Sequence, residues 1–355
     1  MAESSAPRRR AHTLLALLVI AALLAAGAFA ALQYNYEAAG PVDHTVRVQV
    51  RAGDTLHQVF SRLSALGALP HPRAVELYLR LTGAQPRMEI GVYDIPPYSS
   101  PAQIVRMFQE GRVVLDKLTV VEGVTFAQFL AELDADPDIV PSLRGKSDAA
   151  IMAALGHPGQ KPEGRFFPDT YSFSPGTTDL TILQMAYREM AKELAKAWRE
   201  RSPGLPLASP YQALILASMI EKETGVADER ARIAGVFVNR LRRGMRLQSD
   251  PTVIYALGAR YHGTLYARNL AVKSPFNTYL HAGLPPTPIC LPGLASLLAA
   301  VHPDKTRDLY FVATGKGGHH FSRTLAEHDI QLRKYIRQLR RDRLAEQVHT
   351  PGRTQ

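Results

Sequence analysis

Two carboxylates, Glu221 and Glu223, close a stretch that is otherwise apolar: Ser209 to Gly225, SPYQALILASMIEKETG. An acid beside apolar surface has its neutral form favoured. An acid at a helix C-terminus also faces the negative end of the dipole. Both effects raise a carboxyl pKa, as a general acid requires. The plainer reading is that both acids reach solvent at the helix end. The two lie two positions apart, about 200° on a helix, so they face opposite sides. They cannot straddle one sugar bond, as the paired carboxylates of a two-acid glycosidase do. One acid serves a cleft, and the other is solvated or salt-bridged.

Other chemistries fit less well. His281, His302, His319, His320 and His328 cluster late in the chain. None has the i, i+4 spacing around a Glu that makes a helical zinc site, so no metal and no cofactor is expected. There is no G-x-S-x-G elbow, and Ser218 is followed three residues later by Glu221 where a Ser-x-x-Lys nucleophile needs lysine. Gly315-Lys316 lacks the earlier glycine and the following Ser/Thr of a P-loop. The single cysteine, Cys290, excludes an intramolecular disulfide framework. In Pro288-Ile289-Cys290-Leu291-Pro292 it reads as a small buried residue rather than a thiol nucleophile. The net charge of +10 is concentrated in Arg8–Arg10 and in the last helix. No base-reading motif accompanies it, so no nucleic acid partner is expected.

The elements that must position the acids follow from pattern and capping. Ser209, Pro210 and Gln212 start a helix with a capping box, and Gly225 suits its C′ position. Upstream, residues 11–32 are uncharged and almost wholly apolar, long enough to span a bilayer. The arginines before them mark residues 1–10 as a cytoplasmic tail and send the remainder to the periplasm or exterior. The competing reading is a cleaved signal peptide, because Ala28-Phe29-Ala30 resembles a cleavage site. Val46, Val48 and Val50 alternate with polar residues as a strand. Asp54 then caps a helix carrying Leu56, Val59, Phe60 and Leu63, and further helices follow near 73–81 and 100–111. Strands at 113–121 and 309–313 and helices at 125–133, 148–155, 178–201, 294–301 and 324–345 complete an α+β chain. Asp228 is expected to cap a helix ending at Gly244. Asn239 and Arg240 reach from it toward a neighbouring cleft.

Several polar groups are placed for a ligand, each with a structural alternative. Glu163 and the aromatics of Glu163–Tyr171 either line a sugar cleft or pack a loop. Gln248 and Asp250 follow a buried helix. Asp250 either bonds substrate or caps the helix that carries Tyr255. Ser274–Tyr279, with Asn277 and Tyr279, and Gly283–Ile289 are proline-rich loops, and rigid loops suit a cleft wall.

The strand, Gly53-Asp54-Thr55-Leu56 turn and helix resemble a LysM-type module, a class that binds N-acetylglucosamine polymers; a small packing domain without ligand is the alternative. Glu223-Thr224 resembles the Glu-Ser/Thr step of lysozyme-like lytic transglycosylases. More broadly, Ala217–Thr224, Asn239-Arg240-Leu241, Gly244–Tyr255, Asn277-Thr278-Tyr279, Gly283–Pro286, His302-Pro303 and Glu163–Tyr171 resemble the endolytic murein transglycosylase (MltG, YceG-like) family, from the N-terminal anchor to about Tyr335. Phe276 and the doubled His319-His320 depart from its pattern. The resemblance implies an anchor at 11–32, a LysM-like subdomain at 45–115, a connecting part at 116–208, a lysozyme-related catalytic domain at 209–345 and a flexible tail at 346–355. It implies Glu223 as the catalytic acid, with Gln248, Asp250, Asn277, Tyr279, Glu163 and Tyr255 binding substrate and Glu221 positioning a basic group. It also implies an inner-membrane enzyme that cuts peptidoglycan strands between N-acetylmuramic acid and N-acetylglucosamine, leaving a 1,6-anhydro end, near membrane-bound synthases. A water-using muramidase with Asp250 as base and a non-catalytic wall-binding scaffold are the alternatives.

Overall fold

The structure is a computed structural model describing residues 6–349 except Ala52 and Gln85. Residues 1–5 of the expected cytoplasmic tail and 350–355 of the expected C-terminal tail lie outside the described residues. The chain is mixed α+β and divides into two compact units. One runs to Asp116 and takes in Ser172–Pro175, and the other holds Lys117–Tyr171 and everything from Gly176.

In the first unit, helix α1 (Ala6–Glu37) contains a span, His12–Glu37, long and apolar enough to cross a membrane, and the most apolar window of that span is unburied by protein. Strand β1 (Val46–Val50) buries alternate residues and pairs antiparallel with β2 (Gly91–Ile95), with Val48 opposite Tyr93. Helices α2 (Leu56–Ala65) and α3 (Pro72–Leu81) lie between them in sequence, and α4 (Pro101–Gln109) follows. The core joins Val48, Phe60, Leu63, Leu79, Tyr93 and Phe108. The cap of α2 is Thr55, in a capping box with Gln58, not Asp54 as its position suggested. Asp54 instead accepts from the Arg51 amide and pairs with Arg62.

The second unit orders β3 (Asp116–Thr119), α5 (Phe126–Ala135), β4 (Ile139–Val140), α6 (Asp148–Ala154), β5 (Thr170–Phe173), β6 (Thr177–Thr178), α7 (Asp179–Arg199), α8 (Pro210–Glu223), α9 (Arg230–Arg242), α10 (Asp250–Leu257), α11 (Leu294–Val301), β7 (Tyr310–Ala313), β8 (His319–Ser322) and α12 (Leu325–His349). Its strands are short pairs: β3 with β5, β4 parallel to β6, and the β7–β8 hairpin. The glycine-rich 314–318 turn closes that hairpin, and His319 and His320 are ladder residues.

Helix α8 is the centre of this unit, packed by α7, α9 and α11. Every residue from Ala213 to Ile220 is buried. Each of Leu214, Leu216 and Ile220, fully enclosed, contributes about 1.5–3 kcal/mol. Ser218, in the middle of this run, is buried too. Its hydroxyl donates to Ile215 O (2.7 Å) and accepts from the Ile289 amide (3.0 Å), which ties the proline-rich loop to the helix. Cys290 beside it is wholly buried. The Gly164 turn (φ +79) packs directly on Pro288, where a side chain would collide. Phe166 and Phe167 are therefore interior: Phe166 stacks on Phe126 at 5.0 Å between centroids. Of the two readings for these aromatics, loop packing holds.

Candidate active site

Helix α8 ends differently from its sequence expectation. Ser209 accepts from the Gln212 amide (3.3 Å), but the Gln212 side chain turns back to the Ala208 amide (2.7 Å), so the reciprocal half of the capping box is absent. At the other end no left-handed glycine is used. Thr224 is extended (φ −147, ψ 135) and the chain leaves along it. Glu223 is thus the last helical residue. The following helix is also not capped by Asp228. Ala227–Glu229 form a single 3-10 turn that runs straight into α9.

The two acids separate as helical geometry requires. Glu221 Oε2 accepts from the Gly293 amide at the start of α11 (3.0 Å), and Oε1 lies 3.9 Å from Arg230 Nη2. Glu221 is therefore a structural clamp between α8, α9 and α11. Glu223 faces the other side. It is half-buried, and its Oε1 accepts from Ser249 Oγ at 2.5 Å. Desolvation pushes its pKa up to about 7. The Ser249 hydrogen bond and the Arg240 charge pull the other way, and nearby Asp250 adds to the rise.

Ser249 is held by a buried hydroxyl chain. Its amide donates to Thr278 Oγ1 (3.0 Å), and Thr278 Oγ1 sits 2.9 Å from Thr252 Oγ1. Gln248, just before it, is one of two non-glycine residues with positive φ (+49) among the described residues, and its amide donates to Thr278 O (3.1 Å). Such a conformation costs about 1–3 kcal/mol and persists where surroundings enforce it. Beneath the loop lies Arg240, buried, its Nε donating to Leu309 O (2.6 Å) and its Nη1 to Leu247 O (2.8 Å). This buried guanidinium, fixed by carbonyls, places a positive charge where it favours the Glu223 carboxylate.

The residues expected to bind substrate fall into three sets. Asp250 opens α10 without capping it, and its Oδ1 accepts from Tyr279 OH at 2.6 Å. Asp250 adds to the rise in the Glu223 pKa, the Glu223 charge raises that of Tyr279, and the exposed Gln248 side chain accepts from Arg240 Nη1 at 3.5 Å. Glu163 and Tyr255 form a second set: Glu163 Oε2 accepts from Tyr255 OH (3.0 Å) and Oε1 from the Phe126 amide (2.9 Å). Burial pushes the Glu163 pKa up to about 6. This pair ties α5 to α10, the helix that begins at Asp250. Asn277 stands alone, wholly buried. Its amide donates to Leu270 O (2.9 Å) and Val272 O (2.8 Å), and its Oδ1 accepts from the Tyr279 amide (2.9 Å). It shapes the loop that carries Thr278 and Tyr279. Ser249, Thr252 and Thr278 were not singled out by sequence reasoning, although each sits inside a segment that was. Asn239 turns to Thr306 O and Asp308 O instead of a cleft.

The geometry is that of one protonatable carboxyl on a rigid helix end, facing a polar loop. The YceG-like family model matches residues 48–334, about four fifths of the chain. The chain belongs to the YceG-like family. Curated relatives include the endolytic murein transglycosylase of Bacillus subtilis (strain 168), 30% identical over 309 residues, covering 82% of this chain and 85% of that one. The endolytic murein transglycosylase of Streptococcus pneumoniae serotype 2 (strain D39 / NCTC 7466) is 27% identical over 365 residues, covering 90% of this chain and 64% of its own length. A crystal structure of a yceG-like protein from Listeria monocytogenes is 29% identical and superposes with a TM-score of 0.52, over 81% of this chain and 98% of that one. Within this YceG-like chain the matched span holds Glu163, Glu223, the Ser249 loop and Tyr279 alike.

Proposed function

We propose that this chain is a membrane-anchored endolytic lytic transglycosylase. It cleaves the MurNAc-β-1,4-GlcNAc bond of peptidoglycan strands and leaves a 1,6-anhydro-MurNAc end. The observation that carries the reading is the Glu223 carboxyl: desolvated, with a pKa of about 7, and hydrogen-bonded by a single hydroxyl. At neutral pH such a group is divided between acid and base forms, as a group that must act as both requires.

Glu223 donates its proton to the glycosidic oxygen as the bond from C1 of the muramyl residue breaks, and the N-acetylglucosamine side leaves as an alcohol. The 2-acetamido group shields the cationic C1. The Glu223 carboxylate then takes the proton of the muramyl C6 hydroxyl as O6 bonds to C1. The acid is regenerated and no water is consumed. Ser249 steadies the carboxylate between the two transfers, and Arg240 stabilises it at longer range. Gln248, Asp250 and Tyr279 bond sugar hydroxyls or the acetamido group, while Glu163 and Tyr255 hold α10 in register beneath them. The relatives' names and the family match support the substrate and reaction class.

The apolar His12–Glu37 helix is the anchor. Arginines before it favour a cytoplasmic N-terminus, with both units outside. Anchoring keeps the acid close to nascent strands and to the synthases that make them, so cleavage limits strand length. The β1–α2–α3–β2 order of the first unit supports a LysM-like role in holding glycan.

Digestion of purified sacculi and mass measurement of the products tests the reading. Anhydro ends are expected from the wild type and a loss of at least about 10²-fold in rate from Glu223→Gln. Products one water heavier would assign a muramidase, with Asp250 as the base. Undiminished products from Glu223→Gln would move the acid elsewhere, and no product from any form would leave a wall-binding scaffold.

A further inference from the structure

The first unit carries an apolar stripe that its own core does not cover. On α3, Ala74, Leu77 and Leu81 follow the i, i+3, i+7 spacing of one helix face. Leu77 is 47% exposed and Leu81 60% exposed. The opposite face, Val75 and Leu79, is the one packed into the core. Exposed Arg73 and Arg80 flank the stripe on one side. On its other side is Tyr78, and Tyr78 meets α1: its ring lies 5.8 Å from Phe29 and stacks on Tyr36 at 4.5 Å.

The contact with Phe29 sets a depth. Within the His12–Glu37 span the uninterrupted apolar stretch ends at Leu32, before Gln33 and Asn35, so Phe29 lies about 5 Å inside its end at 1.5 Å per residue. Tyr34 and Tyr36, next along α1, are residue types of the aromatic belt at a membrane boundary. A helix whose Tyr78 touches Phe29 is therefore held where hydrocarbon gives way to headgroups. An apolar stripe bordered by arginines is the pattern of a helix lying in that boundary, and arginines there attract anionic lipid.

We infer that α3 is a second membrane contact: it lies in the outer boundary of the bilayer beside α1, with Leu77 and Leu81 in the acyl region and Arg73 and Arg80 on anionic headgroups. The inference rests on the anchoring reading of α1. It makes the first unit a foot that rests flat on the membrane instead of a module swinging on a single helix.

The experiment uses the full chain in proteoliposomes, with an environment-sensitive dye on single introduced cysteines. The one native thiol, Cys290, is wholly buried. Leu24→Cys, on the exposed face of α1, reports the span itself. Leu77→Cys and Leu81→Cys report α3. The expected result is that all three are quenched by doxyl-labelled lipid and shielded from aqueous iodide. Charge reversal by Arg73→Glu with Arg80→Glu should reduce quenching at position 77 in vesicles containing phosphatidylglycerol, with less effect in pure phosphatidylcholine. Quenching at 24 with iodide-accessible dye at 77 and 81 would overturn the foot while leaving the anchor intact. No lipid quenching at any of the three would overturn the anchor, and the foot with it. Equal quenching at 77 whatever the lipid charge or the arginines would remove the headgroup contact.

Discussion

A carboxyl kept ready to donate a proton should destabilise the fold that holds it, and Glu223 makes this measurable. Its pKa rises from an ordinary 4.5 to about 7 in the native state. At about 1.36 kcal/mol per pKa unit, that differential is on the order of 3 kcal/mol. The sign follows from proton binding. Between pH 4.5 and 7 the native state holds more protons than the unfolded chain, so stability falls as pH rises through this window and the loss is complete above about 7. Below 4.5 both states are protonated and nothing is lost. Glu223→Gln removes the ionisation and keeps an oxygen to accept from Ser249. The variant should match the wild type near pH 4.5 and exceed it at pH 8.5 by up to about 3 kcal/mol, less whatever residual solvent contact relieves. Trp198 is the only tryptophan and packs against the α8 core, so its fluorescence follows unfolding of this unit in urea. Because both proteins carry the same other titrating groups, Glu163 included, their contribution cancels in the difference. A gain equal at both pH values, or a loss at pH 8.5, would refute the account of Glu223 as a desolvated acid.

Two further outcomes follow from the same geometry. Ser249→Ala removes the hydrogen bond that favours the carboxylate. A bond to a charged group is worth about 1.5–3 kcal/mol, so the Glu223 pKa should rise by about one unit or more. The high-pH limb of kcat/KM should then move up by the same amount, and an unmoved limb would show that the hydroxyl does not tune the acid. Asn277→Ala strips the donors from Leu270 O and Val272 O, at about 1–3 kcal/mol for each buried carbonyl left unpaired. Thermal unfolding should show that loss. An unchanged melting temperature with a raised KM would instead make Asn277 a sugar ligand.

The local signals in the sequence were legible wherever a short-range rule governs them. The helices expected from residues 100, 125, 148 and 178 begin within a residue or two of those positions, and Ser100, Thr125, Ser147 and Thr178 cap them by satisfying amides only three positions away. Capping by an acid did not hold at Asp54, which is taken by the Arg51 amide and Arg62, or at Asp228, which lies inside a 3-10 turn that runs straight into α9. Gly225 suited a left-handed cap, yet Thr224 left the helix extended, because Glu229 and His319 hold the segment beyond it (2.7 Å between Oε2 and Nδ1). The aromatics of the Glu163 segment read equally as cleft or core, since exposure of a ring is decided by what lies opposite. Here that is Phe126, Phe129 and Pro288.

For the two acids at the end of α8, the sequence alone settled that they part company, because 3.6 residues per turn cannot bring positions 221 and 223 to one side. It also carried the long apolar N-terminal stretch and the family pattern. Which acid is desolvated, and what tunes it, belonged to the tertiary structure. Ser249 lies 26 residues from Glu223 and Thr278 a further 29. No periodicity links them. They meet because Arg240, buried under the loop, bonds the carbonyls of Leu247 and Leu309 and bends the Gln248–Asp250 segment back over the helix end. A hydrogen bond at 2.5 Å is set by such long-range packing, and a pKa by the water that packing excludes.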